Sequence, residues 1–159
     1  MQKILLLITT ILLSCAGNTT TSSDILGKMP RYLGVAVFDG SYPYGIQASS
    51  QFAHGLMEMG LQVIEHINLP TDPDDITKIS NVYGVSGLFV GSVQTVFTPH
   101  YLDTYLYIRL INIKTGETIW SVSAKEPRHF TLTYDLSRSV YHTTSQALKH
   151  FKKDIRRTK

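Results

Sequence analysis

The residue with the clearest chemical context is Cys15, the single cysteine of this 159-residue chain. It follows a basic start at Lys3, an apolar run over residues 4–13 and the small residue Ser14, which are the parts of a secretory export signal in their usual order. As a helix, the apolar run would span about 15 Å, roughly half of a bilayer's hydrocarbon core. We therefore expect residues 1–14 to be a signal that is cleaved after Ser14.

Acylation of the Cys15 thiol is the chemistry that this position indicates. Leu12-Leu13-Ser14-Cys15 resembles the lipobox of bacterial lipoproteins, in which the cysteine becomes the lipidated first residue. Several acyl chains, at about 0.8 kcal/mol per buried methylene, would make the membrane attachment permanent. The resemblance also implies in which membrane the protein is anchored. Ala16 rather than aspartate follows the cysteine, which favours the periplasmic face of the outer membrane over the inner membrane.

Sequence signatures of enzymes and metal sites are missing. The six histidines show no paired-ligand spacing, and His54 with Glu58, one helical turn apart, is more typical of a solvent-facing pair. No nucleophile elbow, phosphate loop or dinucleotide fingerprint occurs. We expect no enzyme, no metal and no cofactor. The alternative is a cell-wall hydrolase, whose carboxylates need no fixed spacing; Asp39 and Asp103 are its first candidates.

Charge excludes one class of partner and suggests another. Fifteen Lys and Arg against twelve Asp and Glu give too small an excess to indicate nucleic-acid binding. Basic residues are concentrated near the C-terminus, where they are suited to anionic lipid or acidic glycan. The alternative is that they oppose the negative end of a helix dipole. The residues of this basic patch are Lys152, Lys153, Arg156 and Arg157.

Aromatic residues give two candidate surfaces for a protein partner. Tyr42 and Tyr44 lie in a loop after a predicted strand, where rigid aromatic bodies often serve as contact anchors. The second set follows one face of a later strand. For both sets the alternative is packing within the domain. The second set contains Tyr101, Tyr105, Tyr107 and Arg109.

The mature chain is expected to hold one domain behind a short tether. Residues 15–29 contain the lipidated cysteine and a polar stretch with little apolar content, which predicts a flexible tether with a reach of about 20 Å. Residues 30–159 suffice for a single periplasmic α/β domain with a sizeable core. Its apolar periodicities predict the order β-α-β-α-β-β-β-α. The predicted strands cover residues 32–38, 61–67, 88–97, 102–113 and 118–125, and the helices cover residues 46–59, 71–83 and 134–157.

We expect a single mixed sheet of three to five strands, flanked by helices and ending in an antiparallel hairpin. A turn with Gly116 in the left-handed conformation predicts that residue 113 pairs with residue 117. This register places Leu106, Ile108 and Leu110 beside Ala124, Val122 and Trp120 on an apolar face that helices must cover. The opposite face would carry the second tyrosine set, with Ile111 beside Ile119.

Five segments together resemble a known family: residues 34–38, 52–60, 63–65, 84–92 and, most specifically, 106–121. In order and spacing they resemble the lipoprotein superfamily of the curli secretion channel CsgG, the penicillin-binding-protein activator LpoB and the TolB N-terminal-like domains. The resemblance implies a non-enzymatic domain that self-associates or docks onto an envelope structure, such as a secretion channel or a flagellar ring. The alternative within the superfamily is an activator of a cell-wall synthase, although such activators carry longer linkers.

Overall fold

The computed structural model describes residues 19–21, 25–69, 76–97, 102–126 and 135–157. Six strands and four helices lie in these ranges. The strands are β1 (Thr19–Thr21), β2 (Leu33–Ala36), β3 (Val63–Ile67), β4 (Gly87–Phe97), β5 (Leu102–Asn112) and β6 (Thr118–Lys125). The helices are α1 (Ile25–Lys28), α2 (Tyr44–Glu58), α3 (Ile76–Tyr83) and α4 (Leu136–Arg157).

All six strands form one mixed sheet in the order β1-β6-β5-β4-β2-β3. Strand β2 is parallel to β3 and β4, whereas β4, β5, β6 and β1 are successively antiparallel. The predicted α/β class, mixed sheet and flanking helices are therefore confirmed. The first strand adds one more than the three to five that the sequence predicts.

Helices α2 and α4 run side by side over one face of the sheet. They bury the predicted apolar face of the hairpin, in which Leu106, Ile108 and Leu110 are at most 1% exposed. Aromatic rings fill the space between sheet and helices in edge-to-face pairs, an arrangement favoured by the ring quadrupoles. Phe151 lies at the centre, with its ring centroid 4.9 Å from Trp120 and 5.4 Å from Phe89.

The hairpin register agrees with the prediction from Tyr105 opposite Lys125 to Leu110 opposite Trp120. The turn itself differs. Asn112 N donates to Glu117 O and Ile111 faces Thr118, so the pairing beside the turn is shifted by one residue from the predicted one. Ile119 is the extra residue of a bulge that restores the register. Its side chain points into the main core and is 1% exposed. The predicted position of Ile119 beside Ile111 is therefore wrong.

Within the tether predicted over residues 15–29, the two segments that the structure describes, residues 19–21 and 25–29, include a strand and a short helix. Thr19–Thr21 pair with β6, and Ile25 in α1 is fully buried in the main core. The physical reason is that β6 would otherwise be a free edge, which three β-branched residues can cover. Only residues 16–18 separate Cys15 from this strand.

Two glycines fix the ends of α2. Gly45 lies so close to the preceding loop that a Cβ at this position would fall 2.2 Å from the carbonyl oxygen of Phe38. Gly60 has φ +83° just beyond the helix, in the left-handed conformation that is common at a helix C-terminus and favours glycine. The first turn of α2 can thus approach the end of β2 closely because residue 45 has no side chain.

Candidate functional site

The described residues cover only part of the sheet face opposite α2 and α4. Helix α3 covers its β2 side, where Ile79 packs in a second cluster with Leu88 and Ile67. Beyond this helix, no residue of the described ranges covers the face across β4, β5 and β6. A groove of about 700 Å³ follows this open face, which we call the open sheet face.

Side chains on the open sheet face form two rows across three strands. In one row Tyr107 lies between Ser92 and Ser123, and in the next Arg109 lies between Val90 and Ser121. Successive strand residues point to opposite faces, so these residues alternate with the buried Leu106, Ile108 and Leu110. The predicted face of Tyr107 and Arg109 is thus observed, and both residues line the groove.

The chemistry of the open sheet face is that of recognition. Tyr107 is 42% exposed and offers an aromatic body with a polar tip. Arg109 is also exposed, and no acidic side chain among the described residues forms an ion pair with it. Its planar guanidinium can bind a carboxylate through two N–H groups. The serine hydroxyls beside these residues supply further donors and acceptors.

Tyr105 lies on the same strand but is held within the domain. Lys125 Nζ donates to Tyr105 Oη at 3.0 Å and to Asp103 Oδ2 at 3.1 Å, and it lies 4.8 Å from the Tyr105 ring centroid. The hydrogen bond to Tyr105, together with Asp103, raises the pKa of Lys125. For Tyr105 the alternative of packing within the domain therefore describes the structure better than a free contact residue.

The structure separates the two tyrosines of the loop after β2. Tyr42 is 85% exposed, whereas Tyr44 begins α2 and packs against the main core. Tyr42 therefore retains the exposure that a contact anchor needs, and Tyr44 packs within its own domain. Tyr101 lies outside the described residues.

The predicted basic patch lies on the last turns of α4. Lys152, Lys153 and Arg156 are exposed there, while Asp154 between them is buried and accepts the indole N–H of Trp120. Arg157 ends the helix, and its side chain is not among those described. The position of these cations at a helix C-terminus suits the interaction with the helix dipole.

The carboxylates considered for hydrolysis do not form a pair. Asp39 bridges to Ser92 on one side of β4, and Asp103 faces Val96 on the other side. Four residues along a strand correspond to about 13 Å, and two strand spacings separate the residues sideways. Glycosidase carboxyl groups lie about 5–10 Å apart, and Asp103 is engaged by Lys125.

The described part of the chain contains no cluster of side chains that could bind a metal ion. His54 and Glu58 form an exposed pair at 3.4 Å, with side chains 75% and 69% exposed, which is the solvent-facing arrangement that the sequence favours. No group of three potential metal-ligating side chains occurs among the described residues. Ser14 and Cys15 lie outside the described ranges.

A buried polar cluster was not predicted from the sequence. Ser139 Oγ, near the start of α4, is hydrogen-bonded to Thr104 Oγ1 at 2.7 Å and to the Glu126 carboxylate. Glu126 is only 8% exposed. No sequence pattern links these three residues, which are brought together by the register of β5 and β6. The cluster fixes the first turns of α4 over the sheet end where β6 finishes.

Comparison with known proteins shows what this fold is similar to. No protein-family model matches the sequence, and no curated protein matches it. Among solved structures, the PelC dodecamer from Paraburkholderia phytofirmans has a TM-score of 0.59 at 14% identity, over 84% of this chain and 94% of that one. Lipoprotein GNA1162 from Neisseria meningitidis has a TM-score of 0.52 at 18% identity, over 78% and 99%.

These likenesses extend over nearly the whole of the solved chains, so those chains contain few elements that this fold lacks. Their identities are low, and the likeness is one of fold. The structural neighbours include bacterial lipoproteins, in agreement with the broader part of the predicted resemblance. None of the helices among the described residues is both long enough and apolar enough to cross a membrane.

Proposed function

We propose that this protein is a non-enzymatic outer-membrane lipoprotein, anchored through Cys15, that self-associates as an assembly component of an envelope structure of the secretion-channel or flagellar-ring type. The observation that carries the proposal is the open sheet face. A domain that covers its other face with two helices leaves Tyr107 and Arg109 exposed beside a groove. A second copy of this chain is the partner that we propose for this surface.

The comparison supports a second copy as the partner. PelC, whose fold is similar over 84% of this chain, is described as a dodecamer. A ring of identical subunits requires heterologous contacts, in which one surface of each copy meets a different surface of the next. The open sheet face carries a cation and an aromatic residue, and a partner surface with an exposed carboxylate would complement it.

The residue types also suit an interface. Tyrosine and arginine are enriched among the residues that contribute most to binding, especially beside well-packed apolar surface. Tyr107 and Arg109 are two residues apart on one strand and point the same way. Val90 and Ile111 line the groove beside them and supply that apolar surface.

Two other functions have less support. An activator of a cell-wall synthase must extend far from its membrane, but only three residues lie between Cys15 and the first strand. A cell-wall hydrolase needs converging carboxylates, and Asp39 and Asp103 lie on opposite sides of β4.

Self-association is tested by the mass of the mature chain in detergent, measured by light scattering after size exclusion over a range of concentrations. We expect oligomers for the parent chain and a shift toward monomer for Tyr107→Ala and Arg109→Ala. Tyr141→Ala is the matched control, since Tyr141 is 54% exposed but lies on α4. A parent chain that is monomeric at every concentration would overturn self-association. Loss of oligomers in Tyr141→Ala as well would show that the effect of the other two variants is not specific to the open sheet face.

The lipid anchor is tested separately by labelled palmitate. We expect incorporation into the parent chain, and neither incorporation nor recovery in the membrane fraction for Cys15→Ser. A Cys15→Ser chain that stays in the same membrane fraction would overturn the anchor.

A further inference from the structure

We infer that the domain meets the lipid headgroups with one particular end of its sheet, and that the basic end of α4 points away from this membrane. The inference rests on the anchor at Cys15 in the proposed function. We call the membrane-facing side the anchored end and define it by its exposed apolar residues. Among the residues that the structure describes, they are Tyr42, Ile46, Val96 and Tyr141.

The direction of β1 determines where the anchor lies. Thr19 faces Val122 and Thr21 faces Trp120, so β1 runs antiparallel to β6. The end of β1 at which the preceding chain joins it is therefore the end nearer Lys125, at the far end of β6. This is the end at which the buried cluster of Thr104, Glu126 and Ser139 lies.

The chain between the anchor and the sheet is too short to reach the other end. Four residue steps from Thr19 to Cys15 span at most about 14 Å. The hairpin-turn end of β6, at Thr118, is four residues below Val122, or about 13 Å. To reach Thr118, the chain before Thr19 would have to reverse its direction, which takes at least a two-residue turn. The two residue steps that remain span only about 7 Å. A chain of this length therefore cannot bring Cys15 to the hairpin-turn end.

Exposed apolar residues lie at both ends of the sheet, since Tyr32 and Val82 at the hairpin-turn end are 49% and 72% exposed, so the position of the anchor is what selects the membrane-facing end. The exposed residues at the selected end suit a lipid interface. Tyr42 lies in the loop that follows β2 and is 85% exposed, and Val96 near the end of β4 is 48% exposed. Ile46 and Tyr141, in the first turns of α2 and α4, are 39% and 54% exposed. Tyrosine is enriched at the headgroup level of membranes because it joins an apolar body to a polar tip.

Helix α4 carries the basic patch to the opposite end. Ser139 is hydrogen-bonded to Thr104 near the anchored end, whereas Asp154 accepts the indole N–H of Trp120 near the hairpin turn. Fifteen helical residues between them correspond to about 22 Å. Lys152, Lys153 and Arg156 therefore lie about two Debye lengths from the anchored end at 0.1 M salt.

Tryptophan fluorescence can test this orientation without relying on cellular lipidation. The only thiol of the mature chain, Cys15, is coupled to a maleimide lipid in vesicles that contain lipids with brominated acyl chains. Trp120 is fully buried and gives a constant background in the parent chain. Tyr42→Trp places a probe at the anchored end, and Lys152→Trp is the matched control at the basic end. Urea unfolding verifies that both variants fold.

We expect brominated lipid to quench the added fluorescence of Tyr42→Trp at least twofold more than that of Lys152→Trp, and acrylamide to quench Lys152→Trp more strongly. Equal quenching of the two variants, stronger lipid quenching of Lys152→Trp, or no lipid quenching of Tyr42→Trp would each overturn the inference. Failure of palmitate incorporation in cells would instead remove the proposed anchor, and it would leave this measurement unaffected.

Discussion

The indole Nε1 of Trp120 donates a buried hydrogen bond of 3.0 Å to Asp154 Oδ2. It joins β6 to the last turns of α4, 34 residues further along the chain. The bond holds the Asp154 carboxylate on the buried side of a helix end whose exposed side carries Lys152, Lys153 and Arg156. Because a buried charge is costly unless it is hydrogen-bonded, Trp120 both fills the core and satisfies this acid.

Replacing Trp120 by Phe is expected to destabilise the domain by about 2–3 kcal/mol, since the carboxylate loses a donor and the core loses part of the indole volume. The free energy of unfolding in urea, followed by circular dichroism, measures this loss. Asp154→Asn keeps a carbonyl oxygen that can accept the indole N–H and should cost less. Equal stability of Trp120→Phe and the parent chain would contradict this role.

Gly45→Ala is expected to lower the free energy of unfolding by about 2–3 kcal/mol, because a new Cβ meets backbone atoms that cannot rotate away. The contact would lie 2.2 Å from Phe38 O. Gly60→Asn is the control, since no atom lies within 4 Å of its added Cβ and asparagine tolerates a positive φ. The same unfolding assay compares the two. A loss for Gly60→Asn equal to that for Gly45→Ala would show that packing at Gly45 is not the cause.

Much of the fold follows from local sequence patterns. The alternation of β5 and β6 and the left-handed glycine of the turn are strong local features, so they predict the hairpin and its buried face correctly. The bulge at Ile119 was not predicted, because the turn and the packing around Trp120 together decide which residue is extra. Strand β1 was missed for a similar reason: three threonines form a strand only where an unpaired edge is available.

Less of the candidate site follows from the sequence. The pattern predicts that Tyr107 and Arg109 share a face, but it cannot show that α3 stops short of them. It also cannot distinguish Tyr42, which is exposed, from Tyr44, which packs on the core two residues later. That difference depends on where α2 begins, and the close approach at Gly45 contributes to it.

The stability contributed by Lys125 should depend on pH at the alkaline end. Its raised pKa means that the folded state binds the proton more tightly, so the contribution is complete below the unfolded value of about 10.4 and is lost as the pH rises through the folded pKa. We expect the parent chain to be more stable than Lys125→Gln near neutral pH, by no more than about 1 kcal/mol because the side chain is partly exposed.

Urea unfolding at a series of pH values, with parent and variant side by side, measures this difference. The two free energies should converge once Lys125 is neutral in the folded state. Lys114→Gln, at an exposed position of the hairpin turn, controls for the general loss of one charge. A difference between parent and Lys125→Gln that stays constant through the alkaline range would contradict the role of the Tyr105 and Asp103 contacts.

The basic end of α4 gives the last prediction, because its two interpretations differ in what neutral variants change. If Lys152, Lys153 and Arg156 oppose the helix dipole, replacing all three by Gln should lower the free energy of unfolding by about 1 kcal/mol. Lipid quenching of the Tyr42→Trp probe on the anchored chain should then stay the same, since these cations lie far from the membrane-facing end. If they bind anionic lipid instead, the quenching should fall and depend on salt, with little loss of stability. The same vesicles, made with and without anionic lipid, separate these outcomes, and the direction of β1 favours the first.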